Sequence, residues 1–220
     1  MKLKSNNTIQ IGVVGVGYLG RRHLEHTMQL KDAECCGFFD KDAERSALIA
    51  QESGATSHNS MASLLESANI ITIVVPTVDH FSVAQVCINA GKHVFIEKPM
   101  CETVEEADTL LELAEKKGVQ IHVGHIERLN PALVALNGIE LAPRYIETHR
   151  LAPYTVRGTD VPVVLDLMIH DLDVIISLVK SPVKSVNASG VSIMTDSVDI
   201  ANARITFENG CVANITSSRI

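Results

Sequence analysis

Apolar residues over the first 125 positions fall into short runs, separated by longer stretches of helical periodicity. Several of the runs are continuous in Val and Ile rather than alternating with polar residues, which is typical of strands buried on both faces of a parallel sheet. They predict strands at Thr8–Val16, Ala33–Phe39, Ile70–Val75, Lys92–Ile96 and Gln120–Val123. The stretches between them predict helices at Tyr18–Leu30, Asp42–Ser53, His80–Ala90 and Thr103–Lys117. This β-α-β order predicts an α/β fold with a doubly wound parallel sheet and right-handed crossovers.

The pattern changes after residue 125. Two helices are predicted, at Pro131–Asn137 and Asp166–Val179, and they are followed by β-like runs at Val183–Met194, Ile200–Glu208 and Cys211–Ser217. Asn209-Gly210 between the last two runs is a hairpin signal. We therefore expect two domains, 1–125 and 126–220, the second of α+β type with an antiparallel sheet.

Composition and charge exclude several classes of protein. Hydrophobic residues make up 46% and charged residues 20% of the chain, which is ordinary globular usage. The formal net charge of −7 disfavours a nucleic acid or an anionic membrane as partner. The chain has no apolar stretch near the roughly 20 residues that cross a bilayer, and its first residues lack the apolar region of a secretory signal. Five cysteines without CxxC spacing fit reduced thiols, so we expect a cytoplasmic protein.

A glycine-rich turn is the strongest local motif. Gly15-x-Gly17-x-x-Gly20 follows an apolar strand and opens a helix. In dinucleotide-binding folds the first glycine permits the tight turn, the second admits the pyrophosphate, and the third lets helix and strand pack closely. The helix N-terminus adds N–H groups and a positive dipole end. The segment predicted to bind a dinucleotide consists of Gly15, Gly17, Tyr18, Leu19 and Gly20.

Asp40 stands 20 residues beyond Gly20, at the end of the second predicted strand. A carboxylate there can accept hydrogen bonds from the adenosine ribose and repels a 2′-phosphate, so NAD is favoured over NADP. Two alternatives stay open: Asp40 is a turn residue in Asp40-Lys41-Asp42, or Lys41 leaves room for NADP.

Two further segments follow predicted parallel strands, where ligands bind in such sheets. They are Pro76-Thr77-x-x-His80 and Glu97-Lys98-Pro99, and Pro99 favours an extended Lys98. The residues predicted to contact the cofactor here are Pro76, Thr77, His80, Glu97 and Lys98. The alternatives are a helix cap for His80 and a solvated surface charge for Lys98.

In the second domain, Asp166 and His170 are four residues apart and would share one face of a helix. Apolar neighbours should bury this pair in part. Asp166, His170 and Asp171 are competent metal ligands, but the chain has no HExxH motif, so we expect no metal site.

The glycine motif, Glu97-Lys98-Pro99 and Asp166-x-x-x-His170, taken in this order, resemble the glucose–fructose oxidoreductase/inositol dehydrogenase (Gfo/Idh/MocA) family. The resemblance implies an N-terminal Rossmann domain and a C-terminal domain whose open-faced sheet forms a homo-oligomer, a dimer or a tetramer. It also implies NAD(P)-dependent oxidation or reduction at a sugar or polyol carbon. Lys98 matches the family's catalytic lysine, and Asp166 and His170 match its aspartate–histidine pair.

A narrower likeness lies in the segments Gly124–Pro131 and Val163–Asp171, which resemble the nucleotide-sugar branch, especially UDP-N-acetylglucosamine 3-dehydrogenases. The chain departs from that branch at Leu129, where phenylalanine is usual, and at Val161-Pro162-Val163, where many relatives have glycines. Arg128 and Asn130 are candidate substrate contacts because a guanidinium suits a diphosphate; the alternatives are a loop salt bridge and a helix N-cap. Since relatives are longer, we expect the second domain to be incomplete.

The expected chemistry is hydride transfer between a sugar alcohol and the nicotinamide. Histidine has an ordinary pKa of about 6.5 and lysine of about 10.4. We therefore expect His170 to act as general base, Lys98 to stabilise the alkoxide and Asp166 to orient His170 or a sugar hydroxyl, although the first two roles could be exchanged. The alternative functions are a free-polyol dehydrogenase and a non-catalytic dinucleotide-binding regulatory protein.

Overall fold

The computed structural model describes residues 8–155 and 161–220. The first seven residues, on which the expectation about a secretory signal rests, lie outside this part. The chain divides into two compact units, one ending at Gly124 and the next beginning at His125, one residue before the predicted boundary. No helix in the described part has both the length and the apolar character to cross a membrane.

The first unit is built on a parallel sheet. Its elements are β1 (Ile9–Val14), α1 (Tyr18–Thr27), β2 (Ala33–Phe39), α2 (Ala43–Ser53), α3 (Met61–Ser67), β3 (Ile70–Ile73), α4 (Thr77–Asn89), β4 (His93–Glu97), α5 (Val104–Lys117) and β5 (Ile121–Gly124). The strand order is β2-β1-β3-β4-β5, with every pair parallel. The predicted fold class is confirmed, and the order reverses between β1 and β3, the switch point at which such sheets bind ligands.

Close packing on this sheet explains an element that the sequence pattern missed. The short helix α3 buries Leu64 and Leu65 against the sheet. A Cβ on Gly12 in β1 would lie 2.7 Å from a Leu64 methyl carbon, so a larger residue at position 12 would require the Leu64 side chain to move. Seven residues give too little periodicity to predict such a helix.

The second unit is an α+β layer. Its elements are a 3₁₀ turn (Ile126–Leu129), α6 (Pro131–Val134), β6 (Tyr145–Leu151), a π-helical turn (Val164–Met168), α7 (Ile169–Val179), β7 (Val183–Val191), β8 (Ile200–Phe207) and β9 (Val212–Ser218). The sheet order is β6-β9-β8-β7. Strands β7, β8 and β9 are antiparallel, as expected, whereas β6 runs parallel to β9 at the edge of the sheet, which is thus mostly antiparallel.

One face of the second sheet is buried beneath α7. Phe207 and Ile215 from the sheet pack in one core with Ile175 and Val179 from the helix. The opposite face carries polar side chains, among them Asn202 bonded to Thr216. Strand β7 is exposed along its whole length.

Candidate active site

Two glycines of the loop after β1 are required by the backbone itself. Gly15 has a φ of +86°, and a Cβ there would lie 2.7 Å from the carbonyl oxygen of Val74. A Cβ on Gly20 would lie 1.9 Å from the carbonyl oxygen of Gly15. Both positions therefore exclude larger side chains for internal reasons.

Gly17 differs from these two glycines. Its φ of −65° is open to any residue, and a Cβ there would meet nothing within 4 Å. It precedes α1, which has no side-chain cap and no acidic residue in its first turn. Tyr18 and Leu19 follow it, both exposed. The open space thus faces a helix N-terminus, which is where a phosphate binds.

Asp40 holds this loop from the end of β2. Its Oδ2 accepts a hydrogen bond from the Val16 amide at 2.8 Å, and its Oδ1 accepts one from the Asp42 amide at 2.9 Å. Arg45 Nη1 lies 3.1 Å from both oxygens. Burial opposes ionisation, but these hydrogen bonds outweigh it and hold the pKa of Asp40 below its ordinary value. Asp40 is thus a turn residue, and its contact with a ribose stays a prediction.

The segment after β3 supports the neighbouring strand end. His80 is buried, with Nδ1 2.8 Å from the Pro99 carbonyl oxygen and Nε2 3.0 Å from that of Val75. Helix α4 begins at Thr77 with Pro76 as its N-cap, so the prediction of a helix starting at His80, and the alternative that His80 caps it, are wrong. The imidazole thus links the segments that follow β3 and β4. Contacts of Pro76, Thr77 and His80 with a cofactor stay predictions.

Lys98 follows β4 directly, at the carboxyl edge of the sheet, and is half-buried. Glu97 accepts a hydrogen bond from the Lys98 amide at 3.2 Å, and its other oxygen lies 2.8 Å from His23 Nε2 in α1. Burial raises the pKa of Glu97, but the hydrogen bonds and charges of His23 and Lys98 together lower it more, so the net shift is downward. Both oxygens of Glu97 thus support the turn that carries Lys98, whose peptide bond to Pro99 is cis.

The aspartate–histidine pair of the second unit lies where a π-helical turn meets an α-helix. Asp166 is within the π-helical turn and His170 is in the first turn of α7; both are half-buried. The sequence predicts one continuous α-helix from Asp166, and this is wrong, because the first residues adopt the wider π geometry. Such turns are often found at functional sites.

The predicted substrate residues have structural partners. Arg128 makes a bidentate ion pair with Asp173 of α7, which raises the pKa of Arg128. Asn130 caps α6 by accepting a hydrogen bond from the Ala132 amide at 3.0 Å. The salt-bridge and N-cap alternatives are thus both realised, and substrate contacts by Arg128 and Asn130 stay predictions. No cluster of His, Cys, Asp or Glu suited to a metal ion is found in the described part.

Comparison with known proteins decides the family. Residues 9–125 match the model described as "Oxidoreductase family, NAD-binding Rossmann fold", and residues 147–220 match the Gfo/Idh/MocA C-terminal domain. The chain belongs to the Gfo/Idh/MocA oxidoreductase family. The resemblance drawn from its motifs is therefore confirmed, as is NAD as the class of cofactor.

Relatives within the Gfo/Idh/MocA family cover both units. A UDP-N-acetylglucosamine 3-dehydrogenase from Acidithiobacillus ferrooxidans is 41% identical over 213 residues, which are 96% of this chain and 67% of that protein. A solved structure of the enzyme from that organism matches with a TM-score of 0.91 and 41% identity, over 96% of this chain and 70% of its own. A myo-inositol 2-dehydrogenase from Thermotoga maritima is 27% identical, over 96% of this chain and 69% of that protein. The chain spans about two thirds of the length of these relatives.

Sequence reasoning missed the partners that hold the candidate residues of this oxidoreductase. His23 lies in α1, 74 residues before Glu97. Arg150 of β6 forms a bidentate pair with Asp171, at 2.8 and 3.1 Å, next to His170. Neither His23 in α1 nor Arg150 in β6 could be assigned a partner from the sequence, because each pairing depends on the tertiary fold.

Proposed function

We propose that this oxidoreductase transfers a hydride from a secondary hydroxyl of a nucleotide-linked sugar to NAD, with UDP-N-acetylglucosamine as the substrate to test first. One observation carries the proposal: the chain is 41% identical, across both units, to a protein named UDP-N-acetylglucosamine 3-dehydrogenase. The half-buried Lys98 at the carboxyl edge of the Rossmann sheet supports it, because ligands of such sheets bind at that edge.

The residues of the first unit fit NAD. Gly17 leaves open the space into which a Cβ would project, before the uncapped N-terminus of α1. Asp40 places a carboxylate beside the same loop, where it disfavours a 2′-phosphate. When bound, NAD supplies the hydride acceptor that protein side chains lack.

Two side chains of the chain serve the hydroxyl that reacts. We assign His170 as the base that takes the hydroxyl proton, and Lys98 as the hydrogen-bond donor that stabilises the developing alkoxide. Asp166 orients His170 or a neighbouring sugar hydroxyl. The C–H bond electrons leave as hydride, so the products are the ketone, NADH and one proton.

The experiment offers the protein NAD with one candidate substrate at a time and follows the absorbance of NADH. The substrates are UDP-N-acetylglucosamine, free N-acetylglucosamine, UDP-glucose and myo-inositol. We expect turnover with UDP-N-acetylglucosamine and little with the free sugar. Preferred turnover of myo-inositol would instead support a polyol dehydrogenase. NAD binding without turnover of any substrate would support a regulatory role.

We also propose that the second unit forms a homo-oligomer. Strand β7 and the segment after it expose apolar side chains to about half of their surface: Val183, Val186, Val191, Ile193 and Met194. Because β7 is an edge strand of the sheet, these exposed apolar side chains are available for contact with another copy of the chain.

A further inference from the structure

The corner of the first unit that we assign to the adenosine ribose contains cations that already have carboxylate partners. Lys41 Nζ lies 3.0 Å from Asp79 Oδ2. Arg45 pairs with Asp40 at 3.1 Å and with Asp42 at 3.0 Å. This corner therefore holds one more carboxylate than it holds cations.

The pair of Lys41 and Asp79 joins the two loops that flank the glycine-rich turn. Lys41 follows β2, and Asp79 lies in the first turn of α4, after β3. Strands β2 and β3 are the two neighbours of β1 in the sheet. The ion pair thus connects the carboxyl-end loops on both sides of the switch point.

A cation at this corner decides between the two nicotinamide cofactors. NADP differs from NAD by a 2′-phosphate, and enzymes that accept NADP place a basic side chain near that group. Lys41 stands directly after Asp40 and is a basic residue suited to this role, yet its ammonium group is bound to Asp79, just as Arg45 is bound to Asp40. We propose that Asp79 is a specificity-determining residue, which keeps NADP out by holding Lys41.

The ion pair is suited to a test because it contributes little to folding. The Lys41 side chain is 76% exposed, and exposed pairs stabilise proteins by well under about 1 kcal/mol. Asp79→Asn keeps the size of the side chain and removes its charge, so the variant should fold as the parent does.

The test measures the dissociation constants of NAD⁺ and NADP⁺ by isothermal titration calorimetry, without any sugar. For Asp79→Asn we expect NADP⁺ to bind about twofold to threefold more tightly and NAD⁺ to bind as it does to the parent. Adding Lys41→Ala should abolish the gain. Asp108→Asn, on the exposed side of α5, is the matched control for net charge and should change neither constant.

Three results would overturn the proposal: an unchanged constant for NADP⁺ in Asp79→Asn, a gain that persists in the double variant, or an equal gain in Asp108→Asn. The inference rests on the proposed cofactor site but not on the proposed substrate. If the parent binds no NAD⁺, the cofactor site itself is refuted; if it binds NAD⁺ and only the Asp79 variants fail, the proposed function stands and this inference falls.

Discussion

At the scale of single residues, the three glycines after β1 serve different purposes. The backbone requires Gly15 and Gly20, since a Cβ on either would meet a carbonyl oxygen within 2.7 Å. Gly17 has an ordinary φ and open space around its Cβ position. Gly17 is the N-cap of α1, where glycine is favoured, but no neighbouring atom excludes a side chain, so its substitution should affect cofactor binding more than folding.

We expect Gly17→Ala to retain the thermal unfolding midpoint of the parent and to lose about tenfold or more in NAD affinity, because the added methyl group occupies the approach to the pyrophosphate. Gly20→Ala should lower the free energy of unfolding by about 1–3 kcal/mol or more through overpacking. Calorimetric unfolding and NAD titration measure both effects. A Gly17→Ala protein that binds NAD as the parent does would contradict the assigned phosphate position.

Lys98 and His170 are the residues whose loss should affect the chemical step most. We expect Lys98→Ala and His170→Ala each to lower kcat by about 10²–10⁴-fold, the usual contribution of a proton-transfer group, with NAD affinity changed much less. Steady-state rates and NAD titration, run on the same preparations, check this. Near-normal turnover in either variant would remove that residue from the mechanism. Lys180→Ala, an exposed lysine after α7, serves as the control.

At the scale of elements, the loop between β7 and β8 is organised by one buried carboxylate. Asp199 Oδ2 accepts hydrogen bonds from the amides of Ile193, Met194 and Thr195 at 2.7–2.9 Å, and its Oδ1 accepts one from the Thr195 hydroxyl. Burial alone would raise the pKa of Asp199, but these hydrogen bonds outweigh it and hold the pKa well below the ordinary range. The loop therefore depends on a charged carboxylate.

This arrangement predicts how stability changes with acid. A carboxyl whose pKa is depressed in the folded state adds its full contribution to the free energy of unfolding at pH values above its unfolded-state pKa of about 3.9. This contribution is lost as the pH falls towards the folded-state pKa. Asp199→Asn should therefore be less stable than the parent at pH 7, and the difference should shrink below about pH 4. Urea unfolding of both proteins at several pH values measures it. A difference that stays constant down to pH 3 would exclude this source of stability.

An element can be predicted from the sequence when its apolar residues form a recognisable run or periodic pattern. Four of the five first-unit strands are rich in Val and Ile, so their approximate positions follow from the chain alone, and β2, which is built of Cys and Phe instead, also matches its predicted bounds. Strand β6 carries Glu147, His149 and Arg150 among its seven residues, and this polar content conceals it. The π-helical turn before α7 depends on backbone geometry that residue periodicity does not encode.

The candidate site also has a part that the sequence predicts and a part that it does not. Gly15, Gly17 and Gly20 could be predicted to lie in a nucleotide-binding turn because their spacing reflects local backbone needs. The hydrogen bond from Val16 to Asp40 and the pair of His23 with Glu97 could not, because they join residues 24 and 74 positions apart. Motifs identify which groups are present, whereas the fold determines which group holds another in place.

At the scale of the whole molecule, the exposed apolar side chains along β7 predict association between copies. We expect light scattering after size exclusion to give a mass that is a multiple of 23.8 kDa, and Val186→Asp to shift it to a single chain. The substitution lies on a strand exposed along its length, so folding should be unaffected. A parent protein of 23.8 kDa in solution would refute self-association through this strand.

The strands of the first sheet all come from one uninterrupted stretch that closes at Gly124. The second sheet, in contrast, pairs β6 with β9, so it cannot close until residue 218 has been made. Because domains fold as units during synthesis, N-terminal part first, the nascent chain can complete the first sheet while the ribosome is still translating the residues of the second.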